Sequence, residues 1–481
     1  LIKWIGFDFS YHHYNYSEDF IMINNRDKTS SIENTKEKKH FYRLVFSLVL
    51  PMALQNLINV GVSAADVVML GKVGETSLSA ASLAGQIQFI MSLIFFGLAS
   101  GATILSAQYW GKKDTRTIEK ILGITMSIAL AVGILFTFVV LLFPAPLMRI
   151  FSNEPEVIEQ GVIYLRIVAY SYIMMAITSI YLNIMRSVER VIISTVVYLL
   201  SLIINVILNS ILIFGLFGIE PMGIKGAAIA TLIARFAELV TVFLYAKFKN
   251  NLIYFHLKDL FHWDKLLIKD FFTYSIPVTM NELVWGAGTS VNAAIIGHLG
   301  KSVVAANSIT QVTRQLAMVV CFGLANATAI VIGKAIGENK EAMAKLYAKR
   351  FVRLTLLLGF LSAFIILIVA EIAKNNLNLS EEAQTYLGFM MFVMSYFSIG
   401  QAYNTTMVVG VFRAGGDTNF GLFLDATTLW GCSILFGALA AFVWKLPVPL
   451  VYMILMSDEI IKIPLTTIRY KSMKWLKNVT R

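Results

Sequence analysis

The chain has 481 residues, 57% of them hydrophobic and 14% charged, with a mean hydropathy of +0.71; a soluble domain carries about a quarter charged residues. Apolar runs of about 20 residues, long enough to cross a bilayer, recur along nearly the whole sequence. They exclude a soluble enzyme with one anchor and, being continuous rather than alternating, an outer-membrane barrel. The net charge of +11 would suggest nucleic acid in a soluble protein, but here the bases mark membrane topology and no nucleic-acid surface is expected.

Residues 1–44 are polar and predict a cytoplasmic N-terminal segment, disordered and without a cleavable signal peptide. Within it, residues 1–21 precede Met22-Ile23-Asn24-Asn25 and read as extra upstream sequence or disorder. Hydrophobic runs then predict spans near 45–70, 82–108, 121–143, 161–185, 191–214 and 223–246. A basic stretch, 247–267, reads as a cytoplasmic linker. A second set follows near 268–296, 303–333, 351–374, 384–412, 419–442 and 447–470, and 471–481 is a basic tail. The expected fold is an all-α membrane protein of about twelve transmembrane helices.

Lysine and arginine concentrate in alternate loops. Lys38, Lys39, Arg43, Lys112, Lys113, Arg116, Lys249, Lys258, Lys334, Lys340 and the tail lie on one side; Lys72, Arg149, Lys225, Lys301, Lys374 and Lys445 are nearly all the other side holds. The excess places both termini in the cytoplasm of a cell whose inner (plasma) membrane holds the protein. Cys321 and Cys432 fall inside spans, and the six histidines lack metal-ligand spacing, so no disulfide or metal framework is expected. No P-loop, Ser/His/Asp set or HExxH motif occurs, so neither an ATP site nor an enzyme is expected, and no cofactor.

Sliding the sequence on itself at an offset of 226 pairs Pro51 with Pro277, Gly71 with Gly297, Gly74 with Gly300 and Gly111 with Gly337. The same offset lays Phe96-Gly97-Leu98-Ala99 on Phe322-Gly323-Leu324-Ala325, and at 227 Arg186 meets Arg413. The chain is therefore read as a duplication, with one lobe over 45–246 and a second over 268–470. Six helices per half put both halves on the same starting side, so the pseudo-two-fold axis runs along the membrane normal, the parallel-repeat arrangement of transporters, with a cleft between the lobes.

An ionisable group at the bilayer centre costs at least ~3 kcal/mol, so each needs a partner, water or a function. Asp66 lies roughly 8 Å below the external end of the first span, with Asn209 at roughly 9 Å, Thr231 at roughly 12 Å and Asn205 at roughly 15 Å. Asn205 and Asn209, four apart, share a helical face. The set suits a sodium ion or a proton on Asp66; interhelical hydrogen bonding is the structural alternative, the stronger one for Asn205 and Thr231. Glu282 lies near mid-membrane, either in an architectural pair with Arg314 on the next span or functional at the cleft. Asp425 is either a second cleft acid or a loop partner. Arg235 and Glu238 should neutralise each other, as should Asp458 and Lys462. Arg186 and Arg413 read as lipid-headgroup or interlobe anchors. Met174, Met175, Met390, Met391, Met394, Tyr396, Tyr403 and Met407 are packing or, alternatively, the lining of an adaptable apolar cavity.

Leu50-Pro51-Met52-Ala53-Leu54-Gln55-Asn56, Asp66-Val67-Val68-Met69-Leu70-Gly71, Asn205-Val206-Ile207-Leu208-Asn209-Ser210, Gly226-Ala227-Ala228-Ile229-Ala230-Thr231, Arg413-Ala414-Gly415-Gly416-Asp417-Thr418 and Asp458-Glu459-Ile460-Ile461-Lys462 together resemble the multidrug and toxic compound extrusion (MATE) transporters over 41–481. The resemblance implies two six-helix lobes opening alternately to either side. It implies export of drug-like organic compounds in exchange for inward sodium or protons. It also implies an acid on the first helix, matching Asp66, with partners matching Asn205, Asn209 and Thr231, where Asn209 replaces a second acid. Members similar to NorM use a glutamate on the seventh helix and an aspartate on the tenth. Glu282 stands about one turn from the first of these, and the tenth span carries Gly400, Gln401, Ala402 and Asn404 but no acid, so coupling through the first lobe is expected. Gln55, Glu282, Arg314, Asp425 and Tyr403 are the candidate cleft residues, small organic molecules and the bilayer the expected partners, and a monomer the expected functional unit. The nearest rival is a flippase for lipid-linked sugars; its cleft would be more cationic than Arg314 alone provides.

Overall fold

The computed structural model describes residues 28–261, 263–376 and 380–481; the reading of 1–21 falls outside them. Helix α1 is Lys28–Val73. Helix already covers 28–44, where disorder was expected, because the stretch is rich in Glu and Lys, good helix formers. Residues to Phe46 separate as one unit and Ser47–Arg481 as another, and the second holds all that follows.

The first half continues through α2 (Glu75–Gly111), α3 (Thr115–Leu142), the short α4 (Pro144–Phe151), α5 (Pro155–Val168), α6 (Ser171–Ser187), α7 (Ile192–Phe214) and α8 (Gly223–Phe248). The second runs through α9 (Lys265–Gly297), α10 (Lys301–Gly337), α11 (Glu341–Asn376), α12 (Glu381–Thr405), α13 (Thr418–Asp425), α14 (Leu435–Ala438), α15 (Val448–Leu455) and α16 (Asp458–Lys471). Among the described residues eight helices are long and apolar enough to cross a membrane unaided. A ninth span is the predicted fourth, which breaks between α5 and α6 with a bend of 53°. One of the eight, Thr418–Val443, runs from α13 into a π-helical turn at Ala426–Ile434. Outside the eight, α12 passes into a π-helical turn at Thr406–Phe412, and the last span breaks between α15 and α16. A π turn absorbs one extra residue in a helix, in keeping with the rise in repeat offset from 226 at Gly337 to 227 at Arg413.

Apolar side chains form one core around Phe95, Ile121, Leu165, Tyr172 and Ile184 and another around Ile296, Met390, Met391, Met394 and Tyr452. The buried methionines of α12 are thus packing. The duplication is visible in backbone geometry. Gly74 and its mate Gly300 sit before α2 and α10 with φ of 151° and 119°, where a side chain would be strained.

The two halves meet where α2 and α10 end. A Cβ on Gly111 would strike the Lys334 carbonyl, and one on its mate Gly337 would strike that of Gln108, so the pseudo-two-fold axis passes between two glycines in backbone contact. Around them the Gln108 amide donates to Ala414 O at 2.7 Å and accepts from Val479 N at 2.8 Å, and Lys334 pairs with Glu189 at 2.8 Å. The expected outcome of Gly337→Ala is a loss of about 1–3 kcal/mol from overpacking, measured as a lower unfolding midpoint of the purified protein; an unchanged midpoint would mean that this contact yields without cost.

Candidate functional site

The first polar cluster is built from α1, α7 and α8. Asp66 projects from α1, and Asn209 on α7 donates from Nδ2 to its Oδ1 at 2.6 Å and to Asn205 Oδ1 at 3.0 Å. The i,i+4 spacing of the two asparagines makes the second bond possible. Both are buried, at 2% and 0% exposure, and Asn209 Oδ1 has no partner. Thr231 stands beside the Tyr164 hydroxyl from α5, which in turn lies within the field of Asp66. The four predicted residues therefore lie in one region, with Tyr164, which the sequence reading missed, among them. A carboxylate beside an unused amide oxygen is a donor set for a small hard cation. Arg235 is close enough to act on Asp66 electrostatically, but its ion pair is with Glu238 at 2.8 Å, as the i,i+3 spacing predicts. Asp66 itself lines neither of the cavities described next.

The second cluster lies between the halves. A cavity of about 170 Å³ is lined by Phe96 from the first half and, among others, by Glu282, Trp285, Asp425, Glu459 and Lys462 from the second. Lys462 on α16 is nearly fully buried and holds Asp425 at 2.8 Å, Asp458 at 2.9 Å and Glu459 at 3.4 Å. The predicted Asp458–Lys462 pair is thus present inside a larger group, and Asp425 is a cleft acid rather than a loop partner. Asn281 links this group to the other wall: its Nδ2 donates to Asp425 at 2.5 Å and its Oδ1 accepts from Arg413 at 3.0 Å.

Four expectations for the cleft are corrected. Glu282 pairs with Arg413 at 2.7 Å, not with Arg314. Arg314 donates instead to Gln311 and, at 3.0 Å, to Gln401; equal depth on adjacent helices did not bring the two side chains together, because Arg413 enters from the end of the π turn. Gln55, Arg314 and Tyr403 do not line the cavity. Gln55 is drawn to Thr195 at 2.9 Å and the Val191 carbonyl, and the Tyr403 hydroxyl meets Thr467 at 2.8 Å. Arg413 joins the lobes through Ser100 at 3.1 Å, an interlobe anchor as expected. Arg186 also faces the space between the lobes, where it lines a second, smaller cavity.

Sequence reading missed Asn281, although a signal for it existed: it is the repeat mate of Gln55 at the offset of 226. For Glu459 as a lining residue there was no signal beyond its place in the Asp458–Lys462 block.

Fold and polar clusters together define a helical membrane transporter built from two duplicated lobes, with charged groups inside both lobes and a cavity between them. The MatE family model matches the chain twice, over 51–211 and 277–439, at starts separated by the repeat offset. The chain belongs to the MatE (MATE) family. Among relatives, the probable multidrug resistance protein YoeA of Bacillus subtilis is 20% identical over 409 residues, covering 84% of this chain and 88% of its own. The probable multidrug resistance protein NorM of Rhizobium meliloti is 26% identical over 398 residues, 81% and 84% of the two chains. Of solved structures, a variant of the Vibrio cholerae MATE transporter VcmN superposes with a TM-score of 0.82 at 18% identity, over 92% of this chain and 99% of its own. A MOP superfamily transporter from Pyrococcus furiosus gives 0.78 at 20% identity, over 90% and 96%. These likenesses establish the fold of twelve spans in two lobes.

Proposed function

We propose that the protein is an antiporter that exports organic compounds through the interlobe cavity by alternating access, driven by inward sodium or protons bound at Asp66. The observation that carries this reading is the state of Asp66. Glu238, Glu282, Asp425, Asp458 and Glu459 each hold a base at 2.7 to 3.4 Å, whereas Asp66 holds an amide whose own oxygen is unused. A neutralised acid cannot respond to an ion. An acid answered only by an amide can, and a proton or sodium ion there removes a charge from the region where α1, α7 and α8 meet.

The excess of Lys and Arg in the loops on one side supports a cytoplasmic position for the Gly111–Gly337 contact and for both termini. Interlobe hydrogen bonds among the described residues run from that contact up to Asn56–Val319 at 3.4 Å and no farther toward the opposite end. The conformation is accordingly closed to the cytoplasm. Coupling follows if the ion binds the outward- and inward-facing states with different affinity, with Pro51 inside α1, lacking an N–H for the helix ladder, as the point where that helix yields most easily to bending. The names of the curated relatives, multidrug resistance proteins, support organic compounds as cargo.

Dye efflux from proteoliposomes under separately imposed sodium and proton gradients tests the reading. One gradient should accelerate efflux and the other should not. Efflux indifferent to both, or transfer of a lipid-linked sugar in place of the dye, contradicts it.

A further inference from the structure

The duplication gives each lobe an arginine at the same position, Arg413 buried and Arg186 partly buried, but only one of them is neutralised. Arg413 has Glu282 at 2.7 Å. The residue matching Glu282 in the first half is Asn56, whose amide donates to the Val319 carbonyl. Arg186 is left with Gln55 at 3.4 Å and Asn183 at 2.6 Å, both neutral, and no carboxylate pairs with it among the described residues. Its Nε is buried without a partner. Of five N–H donors on a guanidinium, these two bonds satisfy only two. A partly desolvated charge in this condition is costly unless something answers it.

Arg186 faces a cavity of about 30 Å³ whose lining includes Ser100, Asn183, Asn326 and Arg413. A water needs about 10–15 Å³, so the space takes roughly two waters, about the size of a carboxylate. This cavity shares Phe96, Asn326, Val409 and Arg413 with the larger one. At the far side of the larger cavity Lys462 is outnumbered by Asp425, Asp458 and Glu459. Surplus positive charge therefore stands beside one of the two adjoining cavities and surplus negative charge beside the other.

We infer that Arg186 is a subsite for the carboxylate of an amphoteric organic substrate, whose cationic part points toward the Asp425–Glu459 end. The inference deepens the transport reading and rests on the interlobe cavity being the substrate's passage. The two terminal nitrogens of Arg186 each keep one N–H beyond the bonds to Gln55 and Asn183, a pair of donors that matches a carboxylate's two oxygens, while Asn183 and Gln55 hold the guanidinium in place.

The test uses the purified full chain in detergent and two probes that differ only at the acid: rhodamine B, which carries a free carboxyl, and its methyl ester. Fluorescence anisotropy gives both dissociation constants. Wild type should bind the acid about tenfold or more tighter than the ester, the size of one charge-assisted hydrogen bond. Arg186→Gln should erase that preference and leave ester binding within about twofold, well under a single such bond, which also reports that the variant is folded; Arg186→Lys should keep part of it. An acid that binds no better than its ester, or a variant that weakens both probes alike, overturns the inference. Added phosphatidylglycerol should not compete with the acid; displacement by that lipid would assign Arg186 to a headgroup phosphate and equally overturn it. Ester binding reads the organic-cargo proposal by itself, so failure of the subsite and failure of the transport reading give different results.

Discussion

Replacing Asp66 by Asn is expected to abolish ion-driven export while leaving the protein folded. The substitution is nearly isosteric and keeps an oxygen to accept the 2.6 Å bond from Asn209, so packing among α1, α7 and α8 is retained. What disappears is the charge. Without it, occupancy by sodium or a proton no longer differs between the two conformations, and a ligand with equal affinity for both states shifts nothing. Reconstituted Asp66→Asn should therefore show export close to that of empty vesicles under a gradient that drives the wild type, with an unfolding midpoint close to wild type. Near-normal driven export by the variant would remove Asp66 from the mechanism. Replacing Asn209 by Ala should be milder for transport and worse for stability, because it leaves Asn205 Oδ1 and Asp66 without their donor.

The largest loss of stability is expected from Lys462→Met. Its ammonium is the single base among Asp425, Asp458 and Glu459, and its side chain is 4% exposed. Removing one partner of a buried ion pair costs about 3–5 kcal/mol, and here three acids lose their partner together. Part of the loss is recovered when the carboxylates take up protons, so the variant should regain stability as the pH is lowered, opposite to the usual acid sensitivity. Adding Asp458→Asn to Lys462→Met should return a portion of the lost stability, since it removes one of the stranded charges. Chemical unfolding of the single and double variants at two pH values measures both effects. A single variant as stable as wild type would mean that water, not Lys462, carries the acids.

Much of this arrangement is legible in the sequence because the bilayer restricts the options. Spans follow from apolar length, the sidedness of the loops from lysine and arginine, and the two-lobe plan from the glycines and proline that repeat at 226. The Asp66–Asn205–Asn209 cluster is legible for a related reason: depth along a helix is a simple count of residues, and i,i+4 spacing sets a common face. Partners between distant helices are not legible this way. Glu282 and Arg314 lie at similar depth, yet the guanidinium that reaches Glu282 belongs to Arg413, carried there by a π turn that no apolar pattern announces. The sequence points to Gln55 as a cleft residue, but its repeat mate Asn281 is the one that bridges Arg413 and Asp425. The duplication preserved the position of the amide while the two lobes put it to different use. Breaks at α5–α6 and α15–α16 were hidden for the opposite reason, since continuous apolarity says nothing about a bend.

Hydrogen–deuterium exchange along 60–73 of α1, measured in lipid nanodiscs with and without saturating sodium and at high and low pH, addresses the central claim most directly. Exchange in this segment should slow on cation or proton binding in the wild type and should not respond in Asp66→Asn. Identical exchange in the presence and absence of both ions, or an equal response in the variant, would contradict the proposal that an ion at Asp66 reshapes the first lobe.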